Sequence, residues 1–94
     1  MGSTGLHHVL FYVYVPDMAE RRGPYREGHL EQARRWKEEG RLVMAGALGD
    51  PPHGAALVFR VDDPAAIEEF VAADPYVSAD LVTAWRIEPW NVAV

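Results

Sequence analysis

Cysteine is absent from the 94 residues, which removes a disulfide framework, thiolate catalysis and cysteine-ligated zinc or iron–sulfur in one step. Positive charge is also scarce. Nine Lys and Arg stand against fourteen Asp and Glu, a net charge of −5, and no basic stripe with interleaved aromatics occurs, so nucleic acid is not an expected partner. Long apolar runs are missing. The longest, Val9 to Val15, suits a core strand and falls far short of the roughly 20 residues of a membrane span. Met1 to Leu6 lacks the basic and apolar regions of a signal peptide, so a cytoplasmic location is the expectation, and Gly2-Ser3-Thr4-Gly5 reads as a flexible terminus. Metal-ligand spacing is missing too: there is no HExxH, EF-hand or facial-triad pattern, and the adjacent His7 and His8 of a strand point to opposite faces. Gly46, Gly49 and Gly54 build neither GxGxxG nor a P-loop. Neither a metal nor a cofactor is therefore expected.

What is present reads as one domain over residues 1–94. A chain this short buries only about 60–65% of its unfolded surface, so association would stabilise it considerably. His7 to Val15 is rich in β-branched and aromatic residues on both alternating faces, the pattern of a strand covered on both sides. Pro16-Asp17 closes it, and Met18 to Arg22 is either a loop or a loose helical turn. Gly23-Pro24 opens a helix to about Glu39, with Leu30, Ala33, Trp36 and Lys37 along one side, His29 beside that stripe, and Gly40 in the C′ place. Arg41 to Leu48 and Ala55 to Val61 are strands joined by the turn chemistry of Gly49-Asp50-Pro51-Pro52-His53-Gly54. Asp63-Pro64 is an N-cap followed by Pro at the first helical position, with Ile67, Phe70 and Val71 as the buried face of a helix ending at Ala73. Leu81 to Glu88 is the last strand, and Pro89-Trp90 ends it.

The order β-α-β-β-α-β is that of a ferredoxin-like α+β domain: an antiparallel four-stranded sheet of order 4-1-3-2 with both helices on one face. A right-handed crossover then gathers three connections at one end of the domain, namely the start of the first helix, the 49–54 hairpin and the 74–80 segment. They carry Arg26, His29, His53, Asp74 and Tyr76. Because the helices cover only one face of a sheet whose strands are apolar on both, the open face should be a hydrophobic patch of a kind monomers rarely expose. A homodimer through that face is the expected assembly.

Asp74 is the odd residue. Pro75 ends the preceding helix, which leaves a carboxylate at a helix C-terminus, where unpaired carbonyls already carry partial negative charge. It needs a donor, and the topology offers His29. For His29 alone, a partly buried histidine satisfied by a carbonyl is the simpler reading; the other is a general base whose tautomer Asp74 fixes and whose imidazolium it stabilises. Arg26, three residues before His29, either binds an anionic group or pairs with a surface glutamate. Tyr76 is either core with a wet hydroxyl or a group that orients a substrate oxygen.

Arg26-Glu27-Gly28-His29-Leu30, Gly40-Arg41-Leu42-Val43-Met44-Ala45-Gly46, Asp74-Pro75-Tyr76-Val77 and the ending Glu88-Pro89-Trp90 together resemble the YCII-related (YciI-like) family of small dimeric α+β barrel proteins. The resemblance covers nearly the whole chain. It implies a dimeric α+β barrel and a His–Asp pair in a pocket, falling on His29 and Asp74 as catalytic residues. Arg26, Tyr76 and His53, gathered at the same end by the topology, and Gly46 are the substrate-binding candidates beside that pair. Some relatives are linked to lyase or dehydrochlorinase-type chemistry on small cyclic compounds. Two departures touch the pocket rim: Ala47 follows Gly46 where the family often has proline, and the hairpin is short.

Three functions compete. The first is an enzyme that abstracts a proton from a small organic molecule with His29 and goes on to elimination or isomerisation. The second is a non-catalytic module whose pocket binds a small ligand or serves an interaction. An antibiotic-biosynthesis-type monooxygenase, the third, rests on fold-level analogy alone and is disfavoured by these motifs.

Overall fold

The computed structural model describes residues 6–94, so the glycine-rich terminus read above as flexible lies outside the described residues. Eight elements follow one another: β1 (His7–Tyr14), α1 (Met18–Arg21), α2 (Gly23–Glu38), β2 (Leu42–Leu48), β3 (Gly54–Arg60), α3 (Pro64–Ala73), α4 (Pro75–Ser78) and β4 (Val82–Trp90). The strands form one sheet of order β2-β3-β1-β4 with every neighbouring pair antiparallel, the ferredoxin-like α+β arrangement. Two short helical turns add to the expected six elements. The 18–22 stretch, left open as loop or turn, is α1, and the 75–80 stretch, expected as plain connection, contains α4.

Alternation in β1 builds the core. His8, Leu10, Tyr12 and Tyr14 are buried, with Leu57 and Phe59 of β3 beside them and Ile67, Phe70, Val71 and Trp36 from the helices above. Trp36, Phe59 and Phe70 meet edge to face at centroid distances of 5.2–5.6 Å, a geometry that adds about 0.5–1.5 kcal/mol per pair to simple burial. That cluster pins α2 and α3 to β3. Gln32 Nε2 donates to the Phe70 carbonyl at 2.9 Å, locking the two helices together. The buried residues of α2 are His29, Gln32 and Trp36: of the expected Leu30, Ala33, Trp36 and Lys37 side, Trp36 enters the core and Ala33 packs against it half-buried, while His29, beside that stripe, faces the interior. Trp36 and Phe70 decide this, since the largest apolar groups take the best-packed place.

Helix α2 ends as its sequence predicts. Gly40 has φ 79°, its N–H donates to the Lys37 carbonyl, and the Arg41 N–H reaches the Trp36 carbonyl, a Schellman closure. Strand β4 does not stop at Glu88: Pro89 pairs with His8 and Trp90 with His7. Proline is tolerated there because β4 is an edge strand and its outer side needs no N–H donor.

The open face of the sheet carries His7, Val9, Phe11 and Val13 from β1 with Ala56 and Val58 from β3. It is less uniformly apolar than expected. Arg60, Arg86 and Glu88 share it, with Arg86 bonded to Glu88 at 2.9 Å and its guanidinium 4.4 Å above the Phe11 ring. No helix among the described residues is long and apolar enough to cross a membrane.

Candidate functional site

Asp74 is the hinge of the site. It ends α3 with a non-helical backbone (φ −75°, ψ 122°) and at the same time caps α4, its Oδ1 accepting from the Tyr76 N–H at 2.9 Å. The carboxylate is thus aimed forward, at the beginning of the next helical turn, and the unfavourable C-terminal placement expected from sequence is half of the account. It is completely buried. A buried carboxylate is stable only when its lone pairs are matched by donors, and three converge on it: Tyr76 N–H, the Tyr12 hydroxyl at 2.8 Å from Oδ2, and His29 Nδ1 at 2.9 Å and 3.0 Å from the two oxygens.

The histidine's tautomer follows. An ionised carboxylate accepts and cannot donate, so Nδ1 carries the hydrogen, and in the neutral ring the lone pair is then on Nε2. The His29 ring is stacked on Tyr76, centroids 4.1 Å apart and planes within 10°, which fixes the direction of Nε2. Gly28 makes the approach of α2 to α4 feasible, since a Cβ there would stand 3.2 Å from Pro75 Cγ, tighter than ordinary side-chain contacts allow.

Beside His29 lies a cavity of about 300 Å³ between α2 and the β2–β3 side of the sheet. Of the residues proposed from sequence, His29, Arg26, Tyr76 and Gly46 line it, and Asp74 lies behind the histidine. His53 does not. It belongs to the hairpin turn with its ring against Gly49 and is not among the residues that line this cavity, because the tight turn keeps the ring on the hairpin. Among the described residues no group of three or more His, Asp or Glu is placed to hold a metal ion.

Three contributors escaped the sequence reading. Tyr12 and Tyr14 are hidden in a strand that looks apolar throughout, and Arg22 in a stretch with no clear pattern; Tyr14 and Arg22 line the cavity. The i, i+2 spacing of Tyr12 and Tyr14 is the one signal available, because it puts both hydroxyls on one face of β1. Burial pushes the ionisation of Tyr12 and Tyr14 far up, and the Asp74 charge adds to it in both. Burial also raises Tyr76, while Arg22 and Arg26 pull the other way. All three phenols are therefore neutral at physiological pH.

Comparison with known proteins agrees with this architecture. The profile of the YCII-related domain matches residues 6–91. An uncharacterized protein of Haemophilus influenzae is 28% identical over 95 residues, spanning 92% of this chain and 97% of its own. Among solved structures, the 5-chloro-2-hydroxyhydroquinone dehydrochlorinase of Burkholderia phenoliruptrix AC1100, in complex with 2,5-dihydroxybenzoquinone, superposes with a TM-score of 0.79 at 19% identity, covering 93% of this chain and 95% of that one. A Bacteroides thetaiotaomicron protein with an antibiotic biosynthesis monooxygenase designation reaches 0.59 at 14% identity, covering 94% and 89%. At these identities both establish a shared fold.

Proposed function

The chain belongs to the YCII-related family, and we propose that within it the protein is a small-molecule enzyme in which His29 is the general base of a proton abstraction leading to elimination or isomerisation. One observation carries the reading: a histidine beside a cavity, its Nδ1 tied to a fully buried carboxylate and its other nitrogen without a hydrogen-bond partner among the described residues. Neutral Nε2 takes a proton from the substrate. Asp74 then faces an imidazolium, and the attraction across 2.9 Å in a water-poor surrounding favours the charged product of the transfer. Tyr12 holds the carboxylate so that it cannot swing away from the ring. The electron pair left on the substrate either expels a leaving group or is protonated again at another atom by the same imidazolium. A dehydrochlorinase of the same fold supports this class of chemistry by analogy.

The test uses a panel of halogenated hydroxyquinols and related enolisable ring compounds, read by halide release and by uptake of solvent deuterium at acidic C–H positions. We expect wild-type turnover of at least one compound and a loss of about 10²-fold or more in His29→Gln and Asp74→Asn. A folded His29→Gln variant within twofold of wild type would sink the reading. Binding of panel compounds without any exchange would return the site to a ligand-binding role.

A second copy of the chain on the open sheet face belongs to the same proposal. Val9, Phe11, Val13, Ala56 and Val58 form an apolar strip along that face, and Val13 is 47% exposed, more than a domain this small leaves uncovered at no cost. A well-folded monomer in sedimentation equilibrium at micromolar concentration would refute it.

A further inference from the structure

The charge around the cavity is opposite to that of the chain. Acidic residues outnumber basic ones by fourteen to nine, yet Arg22, Arg26, Arg34 and Lys37 line the cavity and no Asp or Glu does. Two of these cations are already engaged. Arg34 bonds Glu27 at 3.1 Å and Lys37 donates to the Val43 carbonyl at 2.8 Å. Arg22 and Arg26 have no carboxylate partner among the described residues, and the first turn of α2, which begins just after Arg22, contains no acid. Arg22, Arg26, Tyr14 and Tyr76 all line the one cavity, so the guanidiniums and the phenols share one space, and both arginines oppose the burial that raises the Tyr76 ionisation. Neither Tyr14 nor Tyr76 gives its hydroxyl to a protein partner among the described residues.

We infer that the ligand of this cavity is a small planar organic anion, with its oxyanion held between Arg22 and Arg26 and hydrogen-bonded by Tyr14 or Tyr76. The inference rests on the reading of the His29 cavity as the functional site, and it adds the chemical class of what enters. A guanidinium offers a fork of N–H donors that suits a carboxylate or enolate oxygen pair, and a phenol that stays neutral has a hydrogen to donate beside it. The cavity of about 300 Å³ has room for a single-ring compound and is at the small end of ligand sites. In the proton-abstraction reading the same two cations face the negative charge that develops on the substrate when His29 removes its proton.

Isothermal titration of the whole protein with matched pairs tests this: 2,5-dihydroxybenzoate against its methyl ester, benzoate against benzamide, and a low-pKa nitrophenol against nitrobenzene. We expect at least one anion to bind about tenfold or more tightly than its neutral partner, with the preference weakening as salt is raised. Arg22→Gln with Arg26→Gln should abolish the preference; neither arginine is buried, so thermal unfolding should stay close to wild type. Whether carboxylates or phenolates lead decides which oxyanion the site favours. His29→Ala should keep the preference for the anion even if it removes turnover, which separates this inference from the general-base reading. Equal binding of acid and neutral partner, an unchanged preference in the double variant, or no binding by any anion at 10 millimolar-scale ligand, on the order of the weakest affinities of interest, would overturn it.

Discussion

The molecule contains the same local device twice. Asp63-Pro64 and Asp74-Pro75 each place an aspartate outside a helix with proline at the first helical position, and each carboxylate accepts from the N–H two residues on at 2.9 Å. Backbone ψ is nearly identical, 121° and 122°. The surroundings differ completely. Asp63 is exposed and does nothing but start α3, whereas Asp74 is sealed from solvent and receives a histidine and a tyrosine as well. A local motif thus states where a carboxylate will point, and only the packing of distant elements states what it will do.

The largest expected difference between the two comes from truncation. Asp74→Ala strands the Tyr12 hydroxyl, His29 Nδ1 and the Tyr76 N–H in the interior, and we expect a loss of about 3–5 kcal/mol in urea unfolding. If it costs no more than its exposed counterpart, the distinction between the two sites fails. Tyr12→Phe removes one of the three donors while keeping the ring, for about 1–2 kcal/mol by the same measurement.

Tyr12 and Tyr14 also give a pH signature. Their ionisation lies above the ordinary value of 10.0 in the folded chain, so the folded state holds these protons where the unfolded state releases them. Their contribution is complete below pH 10 and is lost progressively as pH rises beyond it. Stability measured from pH 9 to 11 should fall, and Tyr12→Phe should flatten that slope. A slope unchanged by the substitution would mean that other groups set it.

Asp63→Ala, a simple loss of an exposed cap, should cost about 1 kcal/mol and leave ligand binding untouched. Smallest of all, Asp63→Asn should shift stability by only a few tenths of a kcal/mol, because asparagine caps about as well.

The contrast also explains what could be read in advance. Turn residues, proline positions and apolar periodicity are local, so the strand order, the α2 closure at Gly40 and the Asp63 cap were legible from them. The meeting of His29 with Asp74 was legible one step further, through the topology that brings the start of α2 beside the end of α3. Tyr12 was not, because its hydroxyl acts 62 residues away from a strand whose composition speaks only of burial. The burial of Gln32, and the exposure of Lys37, were not legible because the pattern of Leu30 and Ala33 fits a helix face equally well whether that face meets the core or lines a cavity. His53 was grouped with the pocket because the hairpin is at the same end of the domain, and a turn's position does not fix where its side chains lead.

Asp74 draws its partners from β1, α2 and α4, across sequence separations of 62, 45 and 2 residues. No single element of the chain contains the whole set, so the cluster exists only while β1, α2 and α4 are docked together. The Tyr76 amide, bonded to that carboxylate, should then exchange its hydrogen with solvent only when the entire domain opens, while the Ala65 amide on Asp63 exchanges through fraying of one helix end. Two amides with the same bond length, one timed by the whole molecule and the other by a single turn, make this protein its own clock for when the site is assembled.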